Sequence, residues 1–546
     1  MRAYAAGKIF AGFFLLILLA AFLYTRPPKY RADIAVYGAG LAGCAAAWKA
    51  AVTAPQKTVY IIGPYPEKIY GGLATAGGQN YWDIRGWRGD LPQGGSFRRW
   101  FEATGPYFSP SFLASLIEED LGKLPNLETL WAMDVTGIHK DRQGRLKALC
   151  LRSLKRDQEG RVVWGKERLF LEAEVFIDAS EDGRLLGLAS SAFTVGRGDW
   201  PEEFLPPEER EKPLQQAATL MFKVRGVKPG FYKDMFFHQE KGVWGAYGGR
   251  ETYSRDPVVV SFNNRWGPKG FALKPLNAAQ DGPGSQEWWV NCLLIFSVDG
   301  RVYGRDREKG LLPLDGCRDV DKAWQEAREL LEREEFIAAL RRFPGFQEAE
   351  MIKDEKGRPV VGSLLYLRET IHGLKTGGPQ GAVREEADFA LTPSMVYNAG
   401  VGPGEGADAG NYSMRIGLGF YWMDINAYRF SDLKAEGGYI WPVTGRLRPD
   451  YPQKEGWPPR PVYIPYQVLL NPQVPNLLVP GYGASISSLA WSSLRVLPNL
   501  CVLGDAAGVA AAYSAMKHIP PLHFTEKEVA EVREILQEKF EVKIEK

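Results

Sequence analysis

Cysteine and histidine are scarce in this sequence: five of each are scattered over 546 residues. It contains no Cys-x-x-Cys pair and no His-Glu-x-x-His motif. These absences argue against a disulfide-stabilised fold, a zinc ribbon and a zinc-hydrolase site. An excess of charge of one sign is also lacking, because 67 Lys and Arg balance 65 Asp and Glu to a net charge of +2. We therefore expect no metal site and no nucleic-acid partner.

Glycine is abundant instead, with 60 residues in 546, or about 11% against a usual share near 7%. Such an excess indicates many tight turns and places where a large ligand approaches the main chain closely. The hydrophobic share of 45% and the charged share of 24% are typical of a globular protein. The length is enough for several domains.

The longest apolar run covers residues 5–24 and is interrupted only by Lys8. Twenty helical residues span about 30 Å, the thickness of the hydrocarbon core of a membrane. The residues after this run lack the small-x-small pattern of a signal-peptide cleavage site. We predict that residues 1–31 form an uncleaved membrane anchor and linker. The alternative is a cleaved signal peptide and a secreted protein. Basic residues flank the run on both sides, so its orientation stays open.

A glycine motif follows the first strand-like segment. Residues 32–37 predict a buried parallel strand, and Gly38-Ala-Gly-Leu-Ala-Gly43 comes directly after it. An Ala-rich helix over residues 44–51 and a second strand over 58–62 complete a βαβ unit. In such a unit Gly38 forms the tight turn, Gly40 admits a diphosphate to the backbone, and Gly43 lets the helix pack closely. The pattern predicts a dinucleotide at the helix N-terminus.

One expected residue is missing from this unit. An acid near the end of the second strand usually binds the adenosine ribose, but Gly63 occupies that position. Glu67 is the nearest carboxylate and could substitute for it. The alternative is that water or main chain fills the role.

Two later segments also end in polar turns. Residues 175–178 predict an apolar strand that leads into Ser180-Glu-Asp-Gly183. Residues 500–503 predict a strand that runs into Gly504-Asp-Ala-Ala-Gly508 and a helix over 509–515. This arrangement would put Asp505 at a strand end, where it could accept hydrogen bonds from a polyol beside a helix N-terminus.

These motifs, together with a second glycine segment, Gly71-Gly-Leu-Ala-Thr-Ala-Gly-Gly78, occur in the order seen in FAD-dependent oxidoreductases of the glutathione-reductase-like superfamily. The sequence most resembles the broad FAD-dependent oxidoreductase family, through residues 365–370, 464–466, 476–481, 485–487 and 495–498. Asn426 is a departure, because relatives often have Asp-x-His there. The resemblance implies FAD as the cofactor. It also implies contacts to FAD from Gly38, Ala39, Gly40, Gly43, Gly71, Gly72, Leu73, Thr75, Gly504, Asp505 and Gly508.

The implied fold is α/β, with a Rossmann-like FAD-binding domain split along the chain. Its first part would cover residues 32–200, and its second part, with a C-terminal helix, residues 456–546. Between them, residues 201–455 would form an inserted α+β substrate or cap domain, bounded by proline-rich stretches. We expect strands over 219–224 and 288–295 and an amphipathic helix over 322–343 in this insertion. A capping box at Thr525 predicts a final helix over 526–540.

Tyr366, Arg368, Glu369 and His372 cluster in one segment of the insertion. Three of them, Tyr366, Arg368 and His372, are the candidate catalytic residues. In one interpretation, Arg368 pairs with a carboxylate or carbonyl of the substrate while His372 or Tyr366 moves a proton. In the other, Arg368 and Glu369 form a structural ion pair that supports the flavin domain. The sequence does not decide between them.

We therefore expect an FAD-dependent oxidoreductase that transfers a hydride between a small organic substrate and the flavin, with an unidentified electron acceptor. One alternative is an NAD(P)-dependent Rossmann enzyme. The turn at 504–508 and the split layout disfavour it, because a simple Rossmann dehydrogenase needs neither. The other alternative is a membrane-tethered flavin-binding protein without catalysis.

Overall fold

The computed structural model describes residues 27–189, 192–373, 391–451 and 458–546. The predicted membrane segment at 5–24 and the predicted boundary at 455/456 lie outside the described residues. Within the described ranges, no single helix has the length and apolar composition to cross a membrane. The helices Ser488–Leu494 and Leu497–Lys517 meet that test only as a pair bent by 98°. Both are mostly buried in the protein.

A five-stranded parallel sheet is assembled from distant parts of the chain. Its strands, in spatial order, are Leu477–Leu478, Val175–Asp178, Ile34–Tyr37, Val59–Gly63 and Leu127–Trp131. The three central strands are buried at every position, as expected for parallel strands covered on both faces. The predicted strands at 32–37, 58–62 and 175–178 are confirmed. The strand at 477–478 brings the C-terminal part of the chain into the sheet of the N-terminal part.

Two helices cross at glycine residues beside this sheet. Helix Leu41–Thr53 includes the predicted helix at 44–51 and packs on helix Leu497–Lys517. A Cβ on Gly504 would lie 2.3 Å from the carbonyl oxygen of Ala42, and one on Gly508 2.2 Å from that of Ala46. No side chain larger than glycine fits at either position.

The predicted strand at 500–503 is wrong, because these residues belong to helix Leu497–Lys517. Pro498 suits the first turn of this helix, where its missing N–H costs no intrahelical hydrogen bond. Gly504 and Gly508 are four residues apart and therefore share one face of the helix. The apolar run is long because the helix is buried on nearly all sides. The helix predicted at 509–515 is the C-terminal half of the same element.

A four-stranded sheet flanks the parallel sheet. Its order is Lys29–Arg31, Val162–Glu172, Leu146–Arg156 and Met133–Lys140. The first pair is parallel and the other two pairs are antiparallel. Helices Gly95–Thr104 and Pro110–Gly122 pack on the two crossing helices.

A seven-stranded, antiparallel sheet dominates the middle of the chain. Its strands are Met235–Glu240, Val243–Gly248, Phe271–Gln280, Trp288–Ile295, Phe222–Arg225, Glu350–Met351 and Ala218–Thr219. The strand predicted at 288–295 is confirmed. The strand predicted at 219–224 is interrupted, because the carbonyl oxygen of Met221 accepts a hydrogen bond from Gly362 instead of continuing the ladder.

The amphipathic helix predicted at 322–343 is two helices, Val320–Leu330 and Glu334–Leu340. The break between them lets Leu331, Phe336 and Leu340 all become buried, while Trp324 is partly exposed. The final helix, Glu526–Phe540, begins with the predicted capping box at Thr525.

Short elements complete the described chain. The remaining helices are Arg184–Leu188, Arg250–Arg255, Pro257–Trp266, Pro393–Tyr397, Thr444–Leu447 and Ser488–Leu494. The 3₁₀ turns are Gly72–Ala74, Glu202–Phe204, Pro207–Glu209, Gly267–Lys269, Gly304–Lys309, Ala409–Asn411, Phe430–Leu433, Tyr466–Leu469 and Pro521–His523. Two-stranded pairs are Val298–Asp299 with Arg318–Asp319, Thr194–Val195 with Ile371–His372, Arg415–Gly419 with Val462–Pro465, and Lys434–Ala435 with Gly438–Tyr439.

Candidate active site

The first glycine turn has the geometry of a diphosphate site. Gly38 has a φ of +105°, and a Cβ there would lie 2.7 Å from the carbonyl oxygen of Ala179. A Cβ on Gly43 would lie 1.8 Å from the carbonyl oxygen of Gly38, so glycine alone allows the helix to start here. Gly40 differs, because a Cβ there would meet only a carboxylate oxygen of Glu181, 4.0 Å away. The space on the Cβ side of Gly40 is therefore open, at the N-terminus of helix Leu41–Thr53, where no side chain caps the helix.

The second glycine segment lies directly against the first. The backbone N–H of Gly71 donates to the carbonyl oxygen of Ala39 over 2.9 Å. A Cβ on Gly72 would lie 2.9 Å from the Cα of Gly40. Leu73 is buried in the 3₁₀ turn that follows, and Thr75 closes this turn with a 2.5 Å hydrogen bond from its hydroxyl to the carbonyl oxygen of Tyr70. The structure thus brings together residues 38–43 and 71–75, which the sequence predicts to contact FAD.

Asp505 lies within a helix rather than at a strand end. Its carboxylate accepts hydrogen bonds from the backbone N–H of Ser96 over 2.9 Å and from the Ser96 hydroxyl over 2.5 Å. Ser96 is in the first turn of helix Gly95–Thr104, so Asp505 satisfies an N–H group that this helix leaves free. Burial raises the pKa of Asp505 and lowers that of the nearby Lys49. Its predicted contact with the cofactor stays a prediction.

The absence of an acid at position 63 has a steric cause. A Cβ on Gly63 would lie 2.6 Å from the ring of Trp131. Glu67, the predicted substitute, accepts a 2.8 Å hydrogen bond from Arg156 through Oε1, while its buried Oε2 has no partner in the described chain. Glu67 lines a cavity of about 230 Å³ together with Tyr65 and Glu181, which we call the Tyr65 cavity. Burial raises the pKa of Glu181 to about 8.

A second cavity, of about 80 Å³, contains two of the three predicted catalytic residues, and we call it the Arg368 cavity. Its lining residues are Tyr81, Asp83, Lys274, Pro275, Asn277, Asn291, Tyr366, Arg368, Tyr421, Asp424, Asn426, Trp441 and Arg495. Tyr81 and Asp83 follow the second glycine segment in the chain, and Arg495 lies two residues before helix Leu497–Lys517.

The segment at 365–368 faces both cavities. Leu365 and Leu367 line the Tyr65 cavity, whereas Tyr366 and Arg368 line the Arg368 cavity. This alternation is that of an extended chain. The segment is held by paired backbone hydrogen bonds between Tyr366 and Thr219, of 2.8 and 3.0 Å.

Hydrogen bonds fix several side chains around the Arg368 cavity. Arg495 donates to the Tyr366 hydroxyl over 2.5 Å and to Oδ1 of Asp424 over 3.1 Å. The Tyr421 hydroxyl donates to Oδ1 of Asp83 over 3.1 Å. These contacts orient a phenol and two carboxylates in the cavity.

The cavity contains groups that titrate near neutral pH. Burial, with a further contribution from Asp424, raises the pKa of Asp83 to about 6. Burial and repulsion from Arg368 lower the pKa of Lys274 to about 7. Burial raises the pKa of Tyr366, although Arg495 acts in the opposite direction. A carboxyl and an amine with pKa values in this range suit proton transfer at the pH of most cells.

Arg368 makes no ion pair in the described chain. The residue is 2% exposed, and Nη1 donates to the carbonyl oxygen of Ala217 over 2.7 Å, while Nε has no partner. Glu369 instead accepts hydrogen bonds from the backbone and side chain of Gln216. The Arg368–Glu369 ion pair considered from the sequence is therefore absent from the described structure, and Arg368 keeps donor capacity for a ligand.

His372 lies apart from this cavity, in a strand paired with Thr194–Val195. It is fully buried, and neither ring nitrogen has a hydrogen-bond partner among the described residues. The nearest acid is Glu369, with 3.8 Å between Nε2 and Oε2. The structure does not bring His372 together with Tyr366 and Arg368.

Sequence reasoning missed Asp83, Lys274, Tyr421 and Arg495 as members of one site. One signal was present: Lys274 is the only charged residue in the buried strand Phe271–Gln280, and lysine is rarely buried without a partner. No sequence pattern links it to Asp83 or Arg495, which are distant in the chain and meet only in the folded protein.

A sequence model of the family described as FAD dependent oxidoreductase matches residues 33–536. The chain belongs to this family. The protein is an enzyme, and FAD is its cofactor. The residues present fit that cofactor, because the space on the Cβ side of Gly40 is open at a helix N-terminus and leads to Glu181, which lines the Tyr65 cavity.

No curated protein matches this oxidoreductase. Among solved structures, a geranylgeranyl bacteriochlorophyll reductase-like protein from Thermoplasma acidophilum shares 11% identity over 94% of this chain and 85% of its own, with a TM-score of 0.35. PqsL, a probable FAD-dependent monooxygenase from Pseudomonas aeruginosa, shares 10% over 94% and 92%, with a TM-score of 0.30. The myxobacterial halogenase CndH shares 12% over 62% and 65%, also with a TM-score of 0.30. Similarities this low carry no argument about the substrate.

Proposed function

We propose that this oxidoreductase transfers a hydride between a small organic substrate and FAD, and that the Arg368 cavity is its substrate site. The supporting observation is the course of one loop. The chain that forms the second glycine segment continues through Tyr81 and Asp83 into the wall of this cavity. A substrate held there would therefore lie near the segment predicted to contact the cofactor.

Bound FAD supplies the two-electron acceptor or donor of the reaction. The chain's own contribution is to hold the cofactor, orient the substrate, exclude water and move a proton. We propose cofactor contacts from residues 38–43 and 71–75, and a ribose contact from the unpartnered Oε2 of Glu67. Asp505 would act indirectly, by fixing helix Gly95–Thr104 beside helix Leu497–Lys517.

In the Arg368 cavity we propose that Arg368 and Tyr366 contact the substrate. Arg495 donates to the Tyr366 oxygen, so the Tyr366 O–H is free to donate to a substrate oxygen. Asp83 is ionised above a pH of about 6 and would accept a proton there. We propose no substrate contact for His372, because it does not line the cavity.

The test is anaerobic flavin reduction by a panel of small alcohols, amines and hydroxy acids. A compound that reduces the bound flavin should do so at least about tenfold more slowly in Tyr366→Phe, with FAD content unchanged. Tyr513→Phe is the matched control, because that hydroxyl bonds Glu531 outside the cavity. Equal rates in wild type and Tyr366→Phe would contradict the assignment of the cavity.

We also propose that residues 5–24 anchor the enzyme in a membrane. The apolar length and the missing cleavage pattern support this proposal. The full chain should remain in the membrane fraction after carbonate extraction, whereas a chain that begins at Ala32 should not. Recovery of a mature protein that lacks residues 1–24 would favour the secreted alternative.

A further inference from the structure

The Arg368 cavity contains two cations without a carboxylate partner. Arg495 is paired with Asp424 over 3.1 Å, but within the described chain the Arg368 guanidinium donates its one hydrogen bond to the carbonyl oxygen of Ala217 and otherwise lies 4.6 Å from the centroid of the Tyr366 ring. Among the described residues, the Lys274 ammonium donates only two hydrogen bonds, both of 3.3 Å and both to backbone carbonyl oxygens, and it lies 5.8 Å from the centroid of the Trp441 ring. Over the described residues, neither Arg368 nor Lys274 has an acid within ion-pair distance.

Both cations are taken out of water. Arg368 is 2% exposed and Lys274 is 4% exposed. Burying a charge without a partner is costly, and two like charges near each other increase that cost. The charged or titratable groups with the largest effect on Lys274 are Arg368, Cys292, Asp424 and Asp83. The same cavity is also lined by Arg495, Tyr81, Tyr366 and Tyr421.

Asp83 does not neutralise this pair. Its two carboxylate oxygens accept hydrogen bonds from neutral groups, the Tyr421 hydroxyl and the side-chain amide of Gln79. With its pKa raised to about 6 it is mostly ionised at neutral pH, but within the described chain it makes no ion-pair contact with Arg368 or Lys274. The cavity therefore has positive charge that no side chain in the described structure pairs.

A buried acceptor in the same cavity is also unpartnered. Asn291 donates through Nδ2 to the Tyr81 hydroxyl over 2.7 Å, but its Oδ1 has no partner in the described chain. Amide oxygen accepts hydrogen bonds only, so it calls for an O–H or N–H from a ligand. The same space thus offers free donors with positive charge and one free acceptor.

We propose that the Arg368 cavity binds a small hydroxy- or amino-carboxylate, with its carboxylate between Arg368 and Lys274 and its hydroxyl or amino group on Asn291. This inference rests on the proposed function of the cavity as the substrate site. The planar guanidinium of Arg368 suits a carboxylate, and Lys274 adds a point charge.

Binding is linked to protonation of Lys274. Burial and Arg368 hold the pKa of its amine at about 7 in the free protein, so the amine is mostly neutral above that pH. An anion beside it favours the ammonium form and raises its pKa. At neutral pH the ligand should therefore bind with uptake of about half a proton, rising to about one at higher pH, where its affinity should fall by up to about tenfold for each pH unit.

The test is titration of the FAD-loaded enzyme with lactate, alanine, propionate, lactamide and sulfate, followed by calorimetry and by the change in flavin absorbance. Lactate or alanine should bind at least about tenfold more tightly than propionate, which lacks the donor, and lactamide, which lacks the charge. Comparison of lactate with alanine distinguishes the hydroxy from the amino class. Sulfate binding as tight as the best carboxylate would overturn the proposal.

Variants locate the binding site. Arg368→Gln and Lys274→Met should each weaken carboxylate binding at least about tenfold, and Lys274→Met should also remove the pH dependence. Arg368→Lys should restore part of the affinity. The matched controls Arg342→Gln and Lys269→Met change exposed residues outside the cavity and should bind as wild type does. FAD content and the thermal midpoint report whether each variant folds.

Two outcomes separate this inference from the proposed function. If carboxylates bind as described but none exchanges electrons with FAD, the ligand class stands and the proposed reaction fails. If a neutral compound reduces FAD and no carboxylate binds, the ligand class fails and the proposed reaction stands. Unchanged affinity in both Arg368→Gln and Lys274→Met would overturn the assignment to this cavity.

Discussion

The Arg495 guanidinium donates a 2.5 Å hydrogen bond to the hydroxyl oxygen of Tyr366, a residue 129 positions earlier in the chain. Arg495 follows helix Ser488–Leu494 and also bonds Asp424. The guanidinium occupies an acceptor position on the phenol oxygen and leaves the phenol O–H to donate into the cavity. A residue from the C-terminal part of the chain thereby orients a candidate catalytic residue from the middle part.

This hydrogen bond predicts that substitutions of Arg495 and Tyr366 have non-additive effects on the rate of flavin reduction. Arg495→Lys keeps the charge but loses the fork that reaches both partners, and Tyr366→Phe removes the acceptor. We expect each variant to slow substrate-driven flavin reduction by at least about tenfold. If both act through one hydrogen bond, the double variant should be no slower than the slower single variant. The rates are measured by anaerobic stopped-flow. If the double variant is slowed by the product of the two single effects, the two side chains act independently and not through this hydrogen bond.

We expect ionisation of Asp83 to determine how the rate of flavin reduction falls at acidic pH. As a proton acceptor it works when ionised, and its pKa is raised to about 6, so the rate of reduction at saturating substrate should rise through that pH. Asp83→Asn should be slower by at least about tenfold and should lack this limb. An unchanged profile in Asp83→Asn would assign the titration to another group.

The same pKa shift fixes the sign of a stability effect. Because the pKa of Asp83 is higher in the folded protein than its ordinary value of 3.8, the neutral form favours folding. This contribution is present below about pH 4 and is lost as the pH rises through about 6. Asp83→Asn should therefore gain thermal stability relative to wild type above that pH, and not below pH 4.

The sequence was sufficient for local features whose physical cause is local. The strand, the glycine turn and the helix are predictable because steric demands at the turn require glycine at positions 38 and 43. The apolar run at 500–503 was misread as a strand, since a short buried run has no periodicity that separates strand from helix. The spacing of four residues between Gly504 and Gly508 is the feature of the sequence that indicates a helix with one closely packed face.

The Arg368 cavity was only partly predictable. Tyr366 and Arg368 were found because they cluster in one segment, but His372 from the same cluster lies elsewhere in the fold. Lys274 and Asp83 reach the cavity from separate loops and strands, and such contacts depend on tertiary packing. The unpaired state of Arg368 and Lys274 is a property of the folded protein alone.

Gly504 and Gly508 lie at the contact between the two crossing helices, so alanine at either position should destabilise the protein. Gly504→Ala and Gly508→Ala each put a Cβ within 2.3 Å of a backbone oxygen, which the helices relieve only by moving apart. We expect each to lower the free energy of unfolding by at least about 1–3 kcal/mol. Gly122→Ala, in a helix with nothing within 4 Å of the added atom, is the control and should be neutral. Denaturant unfolding followed by circular dichroism measures all three variants. Equal unfolding midpoints would show that the helix contact does not require glycine.

We expect substitution of Asp505 to lower the stability of the fold more than the affinity for FAD. Asp505→Ala removes two hydrogen bonds from a buried carboxylate to Ser96 and should cost about 1.5–3 kcal/mol of unfolding free energy. Ser96→Ala keeps the backbone bond and should cost less. FAD affinity, measured by fluorescence on folded protein, should change little in either variant. A large loss of FAD affinity at unchanged stability would instead support the direct cofactor contact predicted from the sequence.

His372 decides whether the segment after Arg368 takes part in the reaction. Its ring is fully buried, both nitrogens lack partners among the described residues, and its closest aromatic neighbour is Trp491 in an edge-to-face contact at 6.4 Å. Unsatisfied buried polar atoms cost stability, so an apolar replacement of similar size removes that cost. His372→Leu should therefore unfold at an equal or higher temperature than wild type and bind FAD normally. Its rate of flavin reduction per bound flavin should be within about twofold of the wild-type rate.

Tyr366→Phe, measured in the same way, should show the opposite pattern of normal stability and slow reduction. A tenfold or larger loss of rate in His372→Leu, with FAD and thermal midpoint retained and an altered pH profile, would restore His372 to the proton path that the sequence first suggested.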